Sequence, residues 1–451
     1  MSKDTNNPIQ GQLPAWRLAA FAAPCIPVAA MLMPVTLYLP NYYATDLGVG
    51  LGAIGFAFAA VRLVDLWLDP MLGFLVDKTN TRFGRYRPWL IAGLPIAVVA
   101  LWMLFMAQPG IGVGYILLWL IVGFVGQSMA SMAHVTWAAR IAPEYHQRAQ
   151  IFGWWNAFGM LGILIVLALP PLMTYGFGRD HAAGVQAIGW FVILSLPVAI
   201  VLALSAVAEP ACAPNAGRSS MRHYLDLLRR PSVLRLLVAD IFVNAGPIVA
   251  GTLFFFYFDA IGGYDRTVAA LFLLLYFLGA LAGVPLWTAL GRKLGKHRAL
   301  AVAAIAYALL QISALVAPSG LIWSAAAMAI AGLPFTAGPI LLRAMMGDLA
   351  DEERLISGVD RSGLMFGILN GALKIGTASA VIGATSALQL NGFRADLGAE
   401  NSPEALFALA MGFAVAPAAL SVLGAIVIAG YNLDKPAHDA IRLELAKRDA
   451  G

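Results

Sequence analysis

Apolar runs of about 20 residues or more recur twelve times along this chain of 451 residues, each long enough to cross ~30 Å of hydrocarbon as an α-helix. They fall near residues 17–40, 52–76, 88–107, 113–139, 150–175, 184–207, 232–258, 267–290, 299–317, 321–346, 360–390 and 403–431. In lipid every backbone N–H and C=O must find a partner within the protein, and a helix does this inside one segment. Composition agrees, with 60% of residues hydrophobic and 12% charged, where a soluble domain carries roughly 25% charged residues. The chain reads as an all-α polytopic membrane protein.

Lys and Arg alternate between connections. Lys78, Arg82, Arg85 and Arg87 follow the second run, Arg140 and Arg148 the fourth, Arg218, Arg222, Arg229 and Arg230 the sixth, Arg292, Lys293, Lys296 and Arg298 the eighth, and Arg354 the tenth. The opposite connections hold Arg179, Arg266 and Arg394. By the positive-inside rule both termini are cytoplasmic. The net charge of +5 then belongs to loops beside anionic lipid and calls for no nucleic-acid partner. The polar start Met1 to Gln12 has Lys3 as its one cation and leads into a run too long for a signal core, so the first helix is expected to stay. Cys25 in a span and Cys212 in a loop give no disulfide, metal or redox signature. No phosphate-binding loop and no catalytic motif is present, which argues against ATP-driven transport and against an enzyme.

A polar interval at 208–231 separates six runs from six, giving bundles at 1–207 and 232–451 around a central cytoplasmic loop. Within it H-Y-L-D-L-L-R-R has the pattern of a short amphipathic surface helix. The second run ends in G-F-L-V-D-K-T-N-T-R-F-G-R-Y-R-P and the eighth in W-T-A-L-G-R-K-L-G-K-H-R, in each case an apolar helix, a glycine and a basic turn. Such internal symmetry marks transporters that rock two bundles about a central site.

Inside the second run stand Asp65 and Asp69, in V-R-L-V-D-L-W-L-D-P. Carboxylates at i and i+4 share one helix face. At membrane depth they cost several kcal/mol unless paired, hydrated or bound to a cation. They read as a cation or proton site, against the alternative of a structural network neutralised by Arg62 and a distant lysine.

The stretch A-V-R-L-V-D-L-W-L-D-P-M-L-G-F-L-V-D-K-T-N-T-R-F-G-R-Y-R-P-W-L, residues 60–90, closely resembles the signature of the glycoside-pentoside-hexuronide:cation symporters, the melibiose permease branch of the major facilitator superfamily. Residues 346–376, M-G-D-L-A-D-E-E-R-L-I-S-G-V-D-R-S-G-L-M-F-G-I-L-N-G-A-L-K-I-G, are similar to the family's loop between helices 10 and 11 and its helix 11. The resemblance implies twelve transmembrane helices in two pseudo-symmetric six-helix bundles, in a bacterial inner membrane. It places the family's cation-site aspartates on Asp65 and Asp69, with Arg62 just before them, and the helix 11 lysine on Lys374. A buried lysine needs a carboxylate partner, and a mobile cation competes with it for that partner.

Two departures bear on the ion. Leu68 stands where sodium-using melibiose permeases carry an amide, and Ala130, flanked by Ser128 and Ser131, aligns with the expected helix 4 hydroxyl. A site short of oxygens favours H+ over Na+ as coupling ion, and no other cofactor is expected. The galactoside-gripping acids are also missing, with Ala133 at the helix 4 position and Asn156 at the helix 5 arginine, although Trp137 is kept. The polar and aromatic groups left for a sugar or glycoside are Gln127, Ser131, His134 and Trp137 at helical spacing, Trp155 and Asn156, Asn244, and Asn370. Asp240 is a further intramembrane acid, read as a substrate contact, a titrating group or the partner of Arg235.

Asp77, Arg82, Arg85 and Arg87 resemble the superfamily's loop between helices 2 and 3, with Asp348, Asp351 and Arg361 corresponding to them in the other half, and they read as gate residues. The expectation is a monomeric symporter working by alternating access. Two other readings are a lysolipid or amphiphile symporter, favoured by the apolar first helix with Pro24, Pro27 and Pro34, and a non-transporting membrane sensor.

Overall fold

The computed structural model describes residues 13–45, 47–49, 51–141, 145–179, 181–209, 227–264, 266–316, 320–394 and 397–450. Its elements are helical, and Thr81 and Gly84 form an isolated bridge. Ten of the described segments are long and apolar enough to cross a membrane.

The first run is broken into α1 (Ala15–Ala22), α2 (Cys25–Leu37) and α3 (Leu39–Thr45). Pro24 and Pro40 stand at the breaks, where a residue without an N–H cannot continue the ladder. Then follow α4 (Leu51–Lys78), α5 (Arg87–Phe105), α6 (Val113–Ile141), α7 (Tyr145–Pro171) and α8 (His181–Ala206). The second half holds α9 (Pro231–Ala260), α10 (Arg266–Leu294) and α11 (Lys296–Ser313). The tenth run is split by a 3-10 turn at Leu333–Thr336 into α12 (Leu321–Gly332) and α13 (Ala337–Ser357), Pro334 lying in the turn. Last come α14 (Ser362–Leu390), α15 (Pro403–Ala429) and α16 (Lys435–Ala450). Grouped in this way the helices occupy the twelve expected positions.

α16 lies beyond the last of the twelve runs. Asp434 accepts the Ala437 N–H at 3.1 Å, an N-cap that starts the helix. His438 and Leu445 are buried along one side of it, two turns apart. Of the amphipathic stretch expected at His223–Arg230, residues 223–226 lie outside the described residues.

Contacts divide the chain into two compact units. One comprises 1–223 together with 350–368, and the other 224–349 together with 369–451. In the first, α4 and α5 pack on α6, and α2 on α7. In the second, α9 and α11 pack on α15, and α10 on α12. Large apolar side chains on α4 such as Phe56, Val64, Trp67 and Met71 are exposed, as are Leu194, Val198, Val201 and Leu202 on α8. Contiguous apolar surface of this kind is what lipid solvates and water does not.

Candidate functional site

α4 has its polarity inside out. Trp67 is 72% exposed, whereas Asp65 and Asp69 are 2% and 4% exposed. The two carboxylates lie one turn apart on the buried face, as the i, i+4 spacing requires. Pro70, next to Asp69, has no N–H to give the Leu66 carbonyl, so a backbone oxygen at this level lacks its helical donor. Leu68 and Ala130 are both buried.

On the same helix, glycines bring α14 into backbone contact. A Cβ on Gly73 would overlap the carbonyl of Gly363, and one on Gly367 would stand 2.7 Å from the Asp69 carbonyl. Small residues permit this approach, as at many helix crossings in lipid. One turn beyond Gly73, Asp77 accepts the backbone N–H groups of Gly363 and Leu364 at 2.8 and 2.7 Å. A carboxylate thus caps the N-terminus of α14, where orphan N–H groups and the helix dipole favour an anion.

Around that cap the first unit gathers a network of buried charges. Arg85 donates to Asp77 at 2.5 Å and to Asp360 at 2.9 Å, and Arg140 lies 3.7 Å from Asp360. Asp360 also accepts from the Ser362 hydroxyl and N–H at 2.5 and 3.2 Å. Burial alone would raise its pKa, but Arg140, Arg85 and the two Ser362 bonds outweigh it and hold the carboxyl well below the usual carboxylate range. Arg148 pairs with Asp351 and Arg361 with Glu353, each at 2.6 Å. Arg82 is not brought into this network. It is exposed, with its guanidinium 4.7 Å from the Phe83 ring centroid. Asp360, Glu353, Arg140 and Arg148 are members that sequence reasoning did not select. The Asp two residues before Ser362, ahead of an apolar run, is a helix-start signal that points to Asp360.

The α6 face expected toward substrate divides in two. Gln127 and Ser131 are half-buried. Gln127 lines an apolar crevice with Pro27, Met31, Leu94, Ala97 and Ile200. His134 is packed instead, its Nε2 2.8 Å from the Phe21 carbonyl and its ring centroid 4.3 Å from that of Trp155. Trp137 has no exposed surface and lies against Phe21, Tyr86 and the Arg87 guanidinium. In this structure it is packed within the first unit rather than open to a cavity. Trp155 is half-buried, and Asn156 is buried with its Oδ1 unpartnered among the described residues.

In the second unit Asn244 donates to the Asp240 carboxylate and to the Asp240 carbonyl, both at 2.9 Å. The Asp240 Oδ2 has no hydrogen-bond partner among the described residues, and Arg343 supplies the opposing charge. Arg235 donates to the Gly430 carbonyl instead of serving as the partner of Asp240. Arg343 was missed by sequence reasoning, although a lone arginine in an apolar run is itself a signal. Asp348 receives Lys296 at 2.6 Å and lies 3.6 Å from His438, all three buried. Asn370 and Lys374 are half-buried on α14, at helical spacing from Gly363 and Gly367. The Arg62 side chain lies outside the described residues.

The two halves also share a local device. Gly84 and Gly295 take φ of 106° and 88°, backbone that glycine adopts without strain, and each is followed by a buried cation, Arg85 or Lys296, paired with acids of its own unit.

A family model described as MFS/sugar transport protein matches residues 20–435. The chain belongs to this family. It is a multi-pass membrane transporter, similar over nearly its whole length to glycoside:cation symporters, and not an enzyme. The putative glycoside/cation symporter YagG of Escherichia coli (strain K12) is 28% identical over 429 residues, covering 92% of this chain and 91% of that protein. The isoprimeverose transporter of Lactiplantibacillus pentosus is 25% identical over 424 residues, covering 89% and 85%. Among solved structures, a bacterial homologue of the iron transporter ferroportin in an outward-facing state aligns with a TM-score of 0.64 at 14% identity, covering 92% of this chain and 98% of that one. The Escherichia coli fucose:proton symporter FucP aligns with a TM-score of 0.59 at 15% identity, covering 91% and 98%. These likenesses at low identity concern the fold alone.

Proposed function

We propose that this transporter is a symporter for a sugar or glycoside, working by alternating access in a bacterial inner membrane with both termini cytoplasmic, and coupled to H+ in preference to Na+ through Asp65 and Asp69. The observation that carries the reading is the pair of buried carboxylates on a helix whose opposite face is apolar and exposed. Acids are kept at such depth for a charge that comes and goes. Two carboxylates on a helix where Leu68 stands in place of an amide offer a hard cation few side-chain oxygens, whereas a proton needs one. Lys374 is assigned as the cation that competes with the coupling ion for a carboxylate partner. The relatives named for isoprimeverose and for glycosides support a sugar as the transported molecule.

Contact with the substrate is assigned to Gln127, Ser131, Trp155, Asn156, Asp240, Asn244 and Asn370, a set of amides, hydroxyl, aromatic and acid suited to a polyhydroxylated ligand. The role of gate residues is assigned to Asp77, Arg85, Asp351 and Arg361 in the first unit, with Asp360 joined to them, and to Asp348 in the second. Uptake of a panel of labelled mono- and disaccharide glycosides into proteoliposomes, with an inward pH gradient imposed, tests the substrate class. Accumulation of at least one glycoside supports the reading, and accumulation of a lysolipid in place of every sugar contradicts it.

A further inference from the structure

Two helix ends in the first unit are capped by each other's side chains. Just past the end of α8, the Glu209 carboxylate accepts the backbone N–H groups of Arg85, Tyr86 and Arg87, the last two at 2.9 and 3.3 Å. These are the orphan donors at the start of α5. In return Arg87, on the first turn of α5, donates through its guanidinium to the Leu204 and Val207 carbonyls, both at 3.3 Å, at the end of α8. An acid thus sits at a helix N-terminus and a base at a helix C-terminus, each arrangement favoured by the helix dipole. Gly84 makes room for this. Its φ of 106° is left-handed, and a Cβ there would overlap the Glu209 carboxylate.

The middle of this clamp is the backbone of Arg85. From that fixed point the guanidinium reaches Asp77 and Asp360, and Asp77 in turn holds the N–H groups of Gly363 and Leu364. Guanidinium bonds are directional, so a shift of the residue-85 backbone by even 1 Å would break the two-acid geometry. Nothing in the function argued above uses Glu209, and its place at the edge of a polar interval gives it the look of a solvated loop acid.

We propose that Glu209 is a positioning residue of the gate, which through the Arg85 backbone holds Arg85 against Asp77 and Asp360, with Arg87 returning the grip on α8. This rests on the reading of Arg85 as a gate residue. Glu209 touches neither substrate nor ion, and acts on the α14 cap from two links away.

Hydrogen–deuterium exchange on the full-length protein in nanodiscs tests the relay without needing the substrate. In Glu209→Ala, amides 85–87 should lose protection directly. The relay further requires faster exchange at 363–364, on the order of five- to tenfold, the factor expected for a lost cap. Glu209→Gln, which keeps an acceptor oxygen, should restore most of the protection at 363–364. Amides in the middle of α15 serve as the folding control. Should 85–87 become unprotected while 363–364 stay as in the wild type, Glu209 is a local cap and the proposal is overturned. Arg85→Ala separates the two layers of the argument. If it deprotects 363–364 and Glu209→Ala does not, the positioning role alone fails. If it leaves 363–364 protected, the reading of Arg85 fails and carries the proposal with it.

Discussion

The Asp77 carboxylate, at the end of α4, accepts the Gly363 N–H at 2.8 Å at the start of α14, across 286 residues of sequence. Arg85 holds the same carboxylate from the other side. Asp77→Ala would therefore orphan two backbone donors and remove a counter-charge from a buried guanidinium. Breaking a buried pair in this way costs about 3–5 kcal/mol, and thermal melting in detergent should fall markedly. Asp77→Asn keeps an acceptor oxygen and should fall less.

The α4–α14 approach gives a steric prediction. Gly73→Val places a side chain against the Gly363 carbonyl and should lower both thermal stability and transport. Gly55, on the same helix, has open space around its position, so Gly55→Ala should be neutral or stabilising by up to about 1 kcal/mol. Equal effects of the two substitutions in melting experiments would contradict the crossing.

The Asp360 cluster gives a prediction about pH. Its carboxyl is held below the usual carboxylate range, so its stabilising contribution is fully present above the unfolded value near ~3.9 and is lost only as pH falls through the lower folded value. Protection of the Ser362 amide, corrected for intrinsic exchange, should therefore stay constant from about pH 8 down to about pH 5. A loss of protection within that window in the wild type and in Asp77→Asn alike would mean that Arg85 and Arg140 do not hold the acid.

How much of this was legible in the sequence depended on where each charge lay. Asp65 and Asp69 stood out because an apolar run makes every ionisable residue conspicuous, and their burial follows from the same helix face. Asp77 and Arg85 were readable as a motif. Asp360 was not selected, although it is 2% exposed, because an acid in a loop of mixed charge looks solvated and its partner Arg85 is 275 residues away. The packing of Trp137 was not legible for the opposite reason. Helical spacing put it on the face of Gln127, but the chain at Tyr86 and Arg87 closes over that end of the helix. Periodicity locates a face without saying what covers it. The C-terminal helix was hidden because its buried side amounts to little more than His438 and Leu445, too few residues for a clear apolar stripe.

The central claim is that Asp65 and Asp69 carry the coupling proton. Its most direct test compares two modes of transport of one accepted glycoside in proteoliposomes, accumulation driven by an inward pH gradient and exchange without any gradient. Asn at either position mimics a carboxyl that never releases its proton, so Asp65→Asn and Asp69→Asn should abolish gradient-driven accumulation while exchange persists, and uncoupler should abolish accumulation by the wild type. Full accumulation by both variants, or accumulation by the wild type that follows millimolar sodium at constant pH and ignores uncoupler, would contradict the account.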